Sequence, residues 1–560
     1  MDKSYPFVFF IMFTIVKNVF LLWAFSSSSE TSELSFQLAF KSFQSDLLIS
    51  IPVLFFTWAS KKTSSNVSNI LLWALVLLTA LIMFIDLQTL LTFNRKLILT
   101  DLLKFQNGGI EKTFFITYFL TGTFIFMVSL SLIDFYRKIT SRRNNLIMLL
   151  LLLAVVLIPI KTEYFKSEYL TQNFIQNNLN MSYSNGFSNK KDLNDRFLES
   201  YEIKKGQDKQ PNIIMVLAES WSAIDSDKTS GLNIGNLKAF DELTKEGKMF
   251  TNFFAEGSTT DQAYVTIFTG LPALLYNNNN DSYKPFFNFK SNNESFIQFL
   301  NSKKYKTSFI KAHSLDFLGL RSFLNNLKFN EMIGREEAFY TQKTYSMNGV
   351  ADDTLYEFIE DGLENRDKPY FLSITSLSTH IPFICPDGSG EKVSYTYSAE
   401  AFGRFYKKLK DSGYLKDNYL IVFGDHRKMT SLNDGEYGLY GESAYARISC
   451  AVWGSDTTPN TVDNNYYSQT DIVNSIKQLI SKQVKLPKNY NNIFTGKINR
   501  HYVIHDSFES RSKIMVFNDN NTSSEIKLDG DDTRVISGAS AKEALDYIND
   551  IRGHYQYMSH

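Results

Sequence analysis

Apolar residues are unevenly spread along this chain. Five apolar stretches crowd the first 160 positions: Pro6–Phe25, Leu47–Ser60 with some upstream residues, Ile70–Phe93, Thr113–Phe135 and Leu146–Ile160. A helix needs about 20 apolar residues to cross a bilayer, and each stretch reads as a span by that standard. The fifth, LIMLLLLLAVVLIPI, carries no charge. The second is short, so it reads as a re-entrant piece or as a span extended through Phe36, Leu38 and Phe40, which would take in Lys41 and Asp46. Lys61 and Lys62 in the second connection, and Arg137, Lys138, Arg142 and Arg143 in the fourth, place those loops in the cytoplasm. Arg95, Lys96, Lys104 and Lys112 in the third connection weaken that assignment without reversing it. Five crossings then put everything after Ile160 outside the cytoplasmic membrane. Lys17 and Asp86, charges inside spans, are expected to pair with each other or to snorkel towards the headgroups.

Residues 161–205 are polar and Asn-rich with scattered apolar positions, which fits a membrane-surface helix or a disordered linker equally well. From Pro211 the pattern changes to short β-branched runs alternating with amphipathic segments, the mark of an α/β domain with a mainly parallel sheet. Four runs end in chemistry: NIIMVLA (212–218) at Glu219, SFIKA (308–312) at His313, YFLSITSLS (370–378) near His380, and NYLIVFG (418–424) at Asp425-His426. Open α/β sheets bind ligands at the carboxyl ends of their strands, so four acids or imidazoles just past strands mark a candidate site.

Composition narrows the options. The 58 basic and 58 acidic residues cancel, so no global field favours a nucleic acid. Two cysteines, Cys385 and Cys450, exclude a disulfide scaffold and a zinc-ribbon array, and their pairing is left open. The segment GSTTDQAYVTIFTGLP (257–272) reads as a helix whose N-terminus carries the threonine pair. Unpaired N–H groups there would favour a phosphate or an alkoxide, although a plain N-cap is the simpler reading of the segment alone. Glu219, a threonine hydroxyl, Asp425 and His426 form a hard oxygen/nitrogen set suited to manganese, magnesium or zinc.

NIIMVLAESWS, the Thr-Thr-Asp-Gln-Ala segment ending in Gly-Leu-Pro, STHIPF (378–383) and FGDHR (423–427) follow one another with sulfatase-like spacing. This ordered set resembles the lipoteichoic acid synthase and phosphoglycerol transferase group of the alkaline phosphatase superfamily, and the five-span half is similar to that group too. The resemblance thus covers nearly the whole chain. The organisation expected is a transmembrane domain of about five helices (1–160), a membrane-surface linker (161–205) and an extracytoplasmic α/β sulfatase-like catalytic domain (206–560).

The resemblance implies one divalent metal ion, manganese in first place, held by Glu219, the nucleophilic Thr259 and Asp425-His426. Thr259 is preferred to Thr260 because the family motif looks like Gly-x-Thr-Ser-Asp. His380 matches a phosphate contact, His313 a headgroup pocket and Arg321, with a departure in spacing, a pocket arginine. Arg427 would be an extra phosphate clamp. The implied donor is phosphatidylglycerol in the bilayer, and the acceptor a hydroxyl of an envelope glycan or polymer. A zinc-dependent phosphoethanolamine transferase and a non-catalytic binding protein are the rival readings. The Cys/Ser-Pro-Arg pattern needed for formylglycine is absent around Cys385 and Cys450. His501, His505, His554 and His560 are read as packing or surface residues, and 513–552 as a hairpin and a last helix.

Overall fold

The computed structural model describes residues 5–27, 32–63, 66–93, 96–97, 120–132, 172–182, 198–202, 210–274, 295–430, 432, 434–455, 457–481, 483–506, 513–529, 531–538 and 541–558. They form two compact units, a helical one and an α/β one.

In the helical unit α1 (Tyr5–Ser27), α2 (Ser32–Lys62) and α3 (Asn66–Phe93) are long and apolar enough to cross a membrane. A shorter apolar helix, α4 (Leu120–Leu132), lies within the fourth stretch, and Leu146–Ile160 falls outside the described residues. The second stretch is not a short piece but part of one 31-residue helix. The charge it takes in is paired: Lys17 Nζ of α1 lies 2.6 Å from Asp46 Oδ2 of α2, and Asn18 Nδ2 donates to the same oxygen at 2.9 Å. The Lys17–Asp86 pair expected from the sequence is therefore corrected. Asp86 binds Lys96 and accepts the Leu97 N–H at 2.8 Å, because a carboxylate buried in a bundle takes the cation that its own helix contacts bring to it. Within the former linker, α5 (Phe174–Ser182) directs Asn177 and Asn178 to the Leu97 carbonyl, to which both donate, and exposes Ile175 and Leu179.

The α/β unit has sixteen strands among its described residues, β1 (Leu198–Glu202), β2 (Ile213–Ala218), β3 (Lys248–Phe254), β4 (Lys306–Lys311), β5 (Glu331–Ile333), β6 (Tyr370–Thr375), β7 (Ile384–Cys385), β8 (Gly388–Ser389), β9 (Tyr419–Gly424), β10 (Arg447–Gly454), β11 (Thr461–Ser468), β12 (Gln483–Pro487), β13 (Tyr502–Asp506), β14 (Lys513–Asn518), β15 (Ser523–Asp529) and β16 (Asp532–Gly538). The main sheet runs β11-β3-β10-β9-β2-β6-β4-β5, and β10 is antiparallel to both its neighbours. The four runs singled out in the sequence are β9, β2, β6 and β4, side by side and parallel. Their carboxyl ends therefore share one edge. Ile213, Met215 and Leu217 of β2 enter one apolar cluster, and Ile214, Val216 and Ala218 the other, so the strand is buried on both faces. Helices α6 (Thr260–Thr269) and α9 (Gln469–Ile480) contribute to the first cluster, α7 (Asp352–Leu363) and α8 (Glu391–Asp411) to the second.

β1 lies within the stretch read as linker, yet pairs antiparallel with β12. The C-terminal region adds a four-stranded antiparallel sheet, β13-β14-β15-β16, whose Ile504, Ile514 and Val516 share the first cluster with Ala544, Ile548 and Ile551 of α10 (Lys542–Met558). The expected hairpin is thus three strands of a larger sheet. His554, expected at the surface, is buried in α10, because an amphipathic helix on a sheet turns one side inward; His560 lies outside the described residues.

One buried polar network ties β3 to α9. Glu256 accepts hydrogen bonds from Ser468 Oγ (2.5 Å) and Thr470 Oγ1 (2.6 Å), while Arg500 Nη2 donates to Ser468 Oγ (2.8 Å) and Asp471 Oδ2 (2.6 Å). Burial pushes the Glu256 carboxyl up to about 7 from 4.5, with Arg500 and the two hydroxyls opposing it. The folded chain thus holds this proton more tightly than the unfolded chain does. The stabilisation is complete below the unfolded value and is lost as pH rises through the folded one. Replacing Glu256 with Gln should remove this loss: the melting temperature of the variant should gain on wild type between about pH 5 and pH 8. Parallel melting curves for the two proteins across that range would refute it.

Candidate active site

Glu219 and Asp425 leave adjacent strands at the same level, since Ala218 pairs with Gly424 across β2 and β9. Their carboxylates and the His426 imidazole bring one ligand atom each within 4.8 Å of one another, and all three are buried. The turn after β2 is tight. Ser220 takes φ 59°, a left-handed conformation that costs a non-glycine residue about 1–3 kcal/mol. In that pose its N–H donates to Asp425 Oδ1 at 2.8 Å and its hydroxyl to Glu219 Oε1 at 2.7 Å. Gly424 allows the approach, because a Cβ there would lie 2.3 Å from the Trp221 carbonyl oxygen. Beyond β6, Ser376 Oγ accepts the Glu219 N–H at 3.0 Å and Thr379 donates to the Glu219 carbonyl.

His426 Nδ1 lies 2.8 Å from the Arg427 carbonyl, which can only accept, so this nitrogen carries the proton. Nε2 is then the ligand atom, 3.7 Å from Glu219 Oε1 and 3.5 Å from Asp425 Oδ2. Burial and the Glu219 charge push Asp425 up to about 6 despite His426. Burial also acts to raise Glu219, but His380, His426, the Ser220 hydroxyl and Lys311 outweigh it and hold this carboxyl below its usual value. Asp425 Oδ2 is buried without a hydrogen-bond partner among the described residues. An orphaned carboxylate oxygen beside a second carboxylate and an imidazole nitrogen fits a divalent cation.

The hydroxyl that meets this cluster belongs to Thr260, not to Thr259. Thr260 Oγ1 lies 3.2 Å from His426 Nε2 and 3.5 Å from Glu219 Oε2. Thr260 opens α6, where unpaired N–H groups and the positive end of the helix dipole converge. Thr259 is the extended residue before the helix, and its hydroxyl turns 3.3 Å from Gln262 Oε1. A single residue of chain direction separates the two poses. Gly270, at φ 78°, ends the helix.

The other predicted residues divide. His380 lies close enough for a charge on its ring to act on both His313 and Glu219. Burial first, then Lys311 and His380, push His313 down to about 3, so its imidazole is neutral. Arg321 is instead held by Asp316 at 2.6 Å and Glu337 at 2.7 Å. The Arg427 guanidinium donates to the Lys428 carbonyl at 2.6 Å. Lys311, passed over in the sequence, is buried with Nζ 5.1 Å from the Tyr264 ring centre. Burial pushes its ammonium down to about 8 against the pull of Glu219 and Asp425. A lysine at the carboxyl end of an otherwise apolar run was the signal for it. Cys385 and Cys450 are both free and buried.

Residues 211–481 match the sulfatase family model. A stretch of 127 residues is 25% identical to lipoteichoic acid synthase 1 of Bacillus subtilis, covering 19% of this chain and 20% of that protein. The chain thus matches only a fifth of this relative's length. Among solved structures, an alkaline phosphatase superfamily protein from Vibrio parahaemolyticus is 20% identical at a TM-score of 0.50, over 66% of this chain and 93% of the other. The lipoteichoic acid synthase LtaP from Listeria monocytogenes is 19% identical at a TM-score of 0.47, over 69% and 97%. Beyond the N-terminal apolar helices, residues 211–481 thus match the sulfatase family model, and the α/β unit has the fold of a solved alkaline phosphatase superfamily protein.

Proposed function

We propose that the protein is a membrane-anchored phosphotransferase. It takes a phosphoglycerol headgroup from phosphatidylglycerol and passes it to a hydroxyl of an envelope glycan or polymer, through a phosphothreonine at Thr260. The observation that carries this reading is the Thr260 hydroxyl at a helix N-terminus, within 3.5 Å of both Glu219 and His426. The apolar helices suit a lipid donor, and the catalytic domain stands outside the cytoplasm.

Glu219, Asp425, His426 and the Thr260 oxygen would hold one divalent ion, manganese in first place. When bound, such an ion lowers the pKa of a coordinated hydroxyl and offsets phosphoryl charge. Thr260 Oγ1 forms a bond to phosphorus as the bond from phosphorus to the diacylglycerol oxygen breaks. The threonine proton passes to bulk water, and the leaving alkoxide takes one from bulk water relayed through the His380 imidazole, so no net proton is gained or lost. Lys311 meets the phosphoryl oxygens and His313 the headgroup. The acceptor hydroxyl then attacks the same phosphorus and releases Thr260.

Released diacylglycerol from fluorescent phosphatidylglycerol tests the scheme with the full chain in detergent. Thr260→Ala should lower turnover by about 10³-fold or more, and Thr259→Ala by less than about tenfold. A Thr260→Ala protein that still turns over would sink the assignment. Chelation should abolish turnover and manganese restore it; activity that survives exhaustive chelation contradicts the cation site. Preference for phosphatidylethanolamine over phosphatidylglycerol would move the reading to the phosphoethanolamine transferases.

A further inference from the structure

His505 makes two hydrogen bonds that the reaction above does not use. Its Nδ1 lies 2.9 Å from the Ala255 carbonyl and its Nε2 lies 3.1 Å from Ser258 Oγ. A carbonyl only accepts, so Nδ1 carries the hydrogen, Nε2 of the neutral ring is an acceptor, and the Ser258 hydroxyl must donate to it. A single tautomer follows, and of the two acceptors near the Ser258 hydroxyl Nε2 is closer than the Asp506 carbonyl, which lies 3.5 Å away.

These contacts fall on the loop that delivers Thr260. Thr259 is extended, at φ −143° and ψ 155°, so the side chains at 258 and 260 leave on the same side of the chain, their Cα atoms about 7 Å apart. Ser258 N–H donates to Gln262 Oε1 at 2.7 Å, and Gln262 Nε2 donates to Asp506 Oδ2 at 3.1 Å. The backbone is stitched separately: Asp506 N–H donates to the Glu256 carbonyl at 2.8 Å, and Gly257 bridges Asp506. The end of β13 thus grips the loop three times, through the main chain, through Asp506 and Gln262, and through His505 and Ser258. The main-chain grip fixes the path of the loop. The grip through His505 acts on the residue two before the hydroxyl.

We propose that His505, acting through Ser258, is a positioning residue that sets where the Thr260 hydroxyl stands against Glu219 and His426. The inference rests on Thr260 being the reacting hydroxyl. A displacement of about 1 Å at a reacting atom can cost on the order of 10²-fold in rate, which a hydroxyl at a loop-to-helix junction invites.

The test uses the full chain in detergent with fluorescent phosphatidylglycerol and manganese. Ser258→Ala removes the donor. His505→Asn keeps a donor for the Ala255 carbonyl but does not reach Ser258, whereas His505→Gln extends an amide to where Nε2 stood. Ser258→Ala and His505→Asn should each lower kcat by about 10–100-fold with KM, bound manganese and melting temperature unchanged. The double variant should be no worse than either alone, and His505→Gln should recover part of the loss. Full turnover in both single variants, while Thr260→Ala is inactive, would overturn the inference and leave the proposed function standing. Losses that track a lower melting temperature, or less bound manganese, overturn it as well, because the pair would then only hold the fold or the cation. An active Thr260→Ala protein removes both readings together.

Discussion

Two carboxylates buried side by side are the constraint around which the α/β unit is organised. Glu219 and Asp425 are both buried, where each raises the cost of ionising the other. The chain keeps them together through parts that leave little slack. Paired ends of β2 and β9 set their level, a strained Ser220 bonds to both, and residues after β6 hold the Glu219 main chain. Such an arrangement is expensive in a protein without positive charge to match it. That cost is a reason to regard the cluster as a cation site rather than as packing.

The Thr260 hydroxyl comes to this cluster from a different layer. α6 lies on the face of the sheet that β13 and α10 also cover, so the C-terminal sheet bears on the loop before α6 as well as on the core. The strands supply acids and an imidazole, the helix supplies a hydroxyl and a positive end, and the C-terminal sheet holds the loop between them. The helical unit meets a related problem with simpler means. Among its described residues two pairs of buried charges are matched, Lys17 with Asp46 and Lys96 with Asp86, so these four do not stand alone in apolar surroundings.

Much of this could be read from the chain itself. Continuous apolar runs with an acid or imidazole at the end mark parallel, doubly buried strands, and the four runs so marked are neighbours in the sheet. What escaped was set by contacts between distant parts. Motif spacing preferred Thr259, whereas the hydroxyl beside Glu219 and His426 is that of Thr260: Thr259 is still extended, and successive side chains of extended backbone leave on opposite sides. Asp46 rather than Asp86 answers Lys17, because the choice depends on how α1 packs on α2. Arg321 looked available for a phosphate until Asp316 and Glu337 were brought beside it. Lys311 was hidden by its own strand, as its carboxylate neighbours come from β2 and β9.

The distribution of cations bears on what completes the site. Arg321 is engaged by Asp316 and Glu337, Arg500 by Asp471, and Lys428 by Asp225 and Glu391 at 2.8 and 2.5 Å. Arg427 is turned to a main-chain carbonyl. Arg321, Arg500 and Lys428 are thus each engaged by acids other than Glu219 and Asp425, while His426 and Lys311 are neighbours that act on both of those carboxylates. If Lys311 had to neutralise the acids, its ammonium would be spent there and would have little to offer an incoming phosphate. A divalent ion held by the acids and His426 changes that division. With the carboxylates compensated in that way, the Lys311 ammonium would remain available to an anionic ligand.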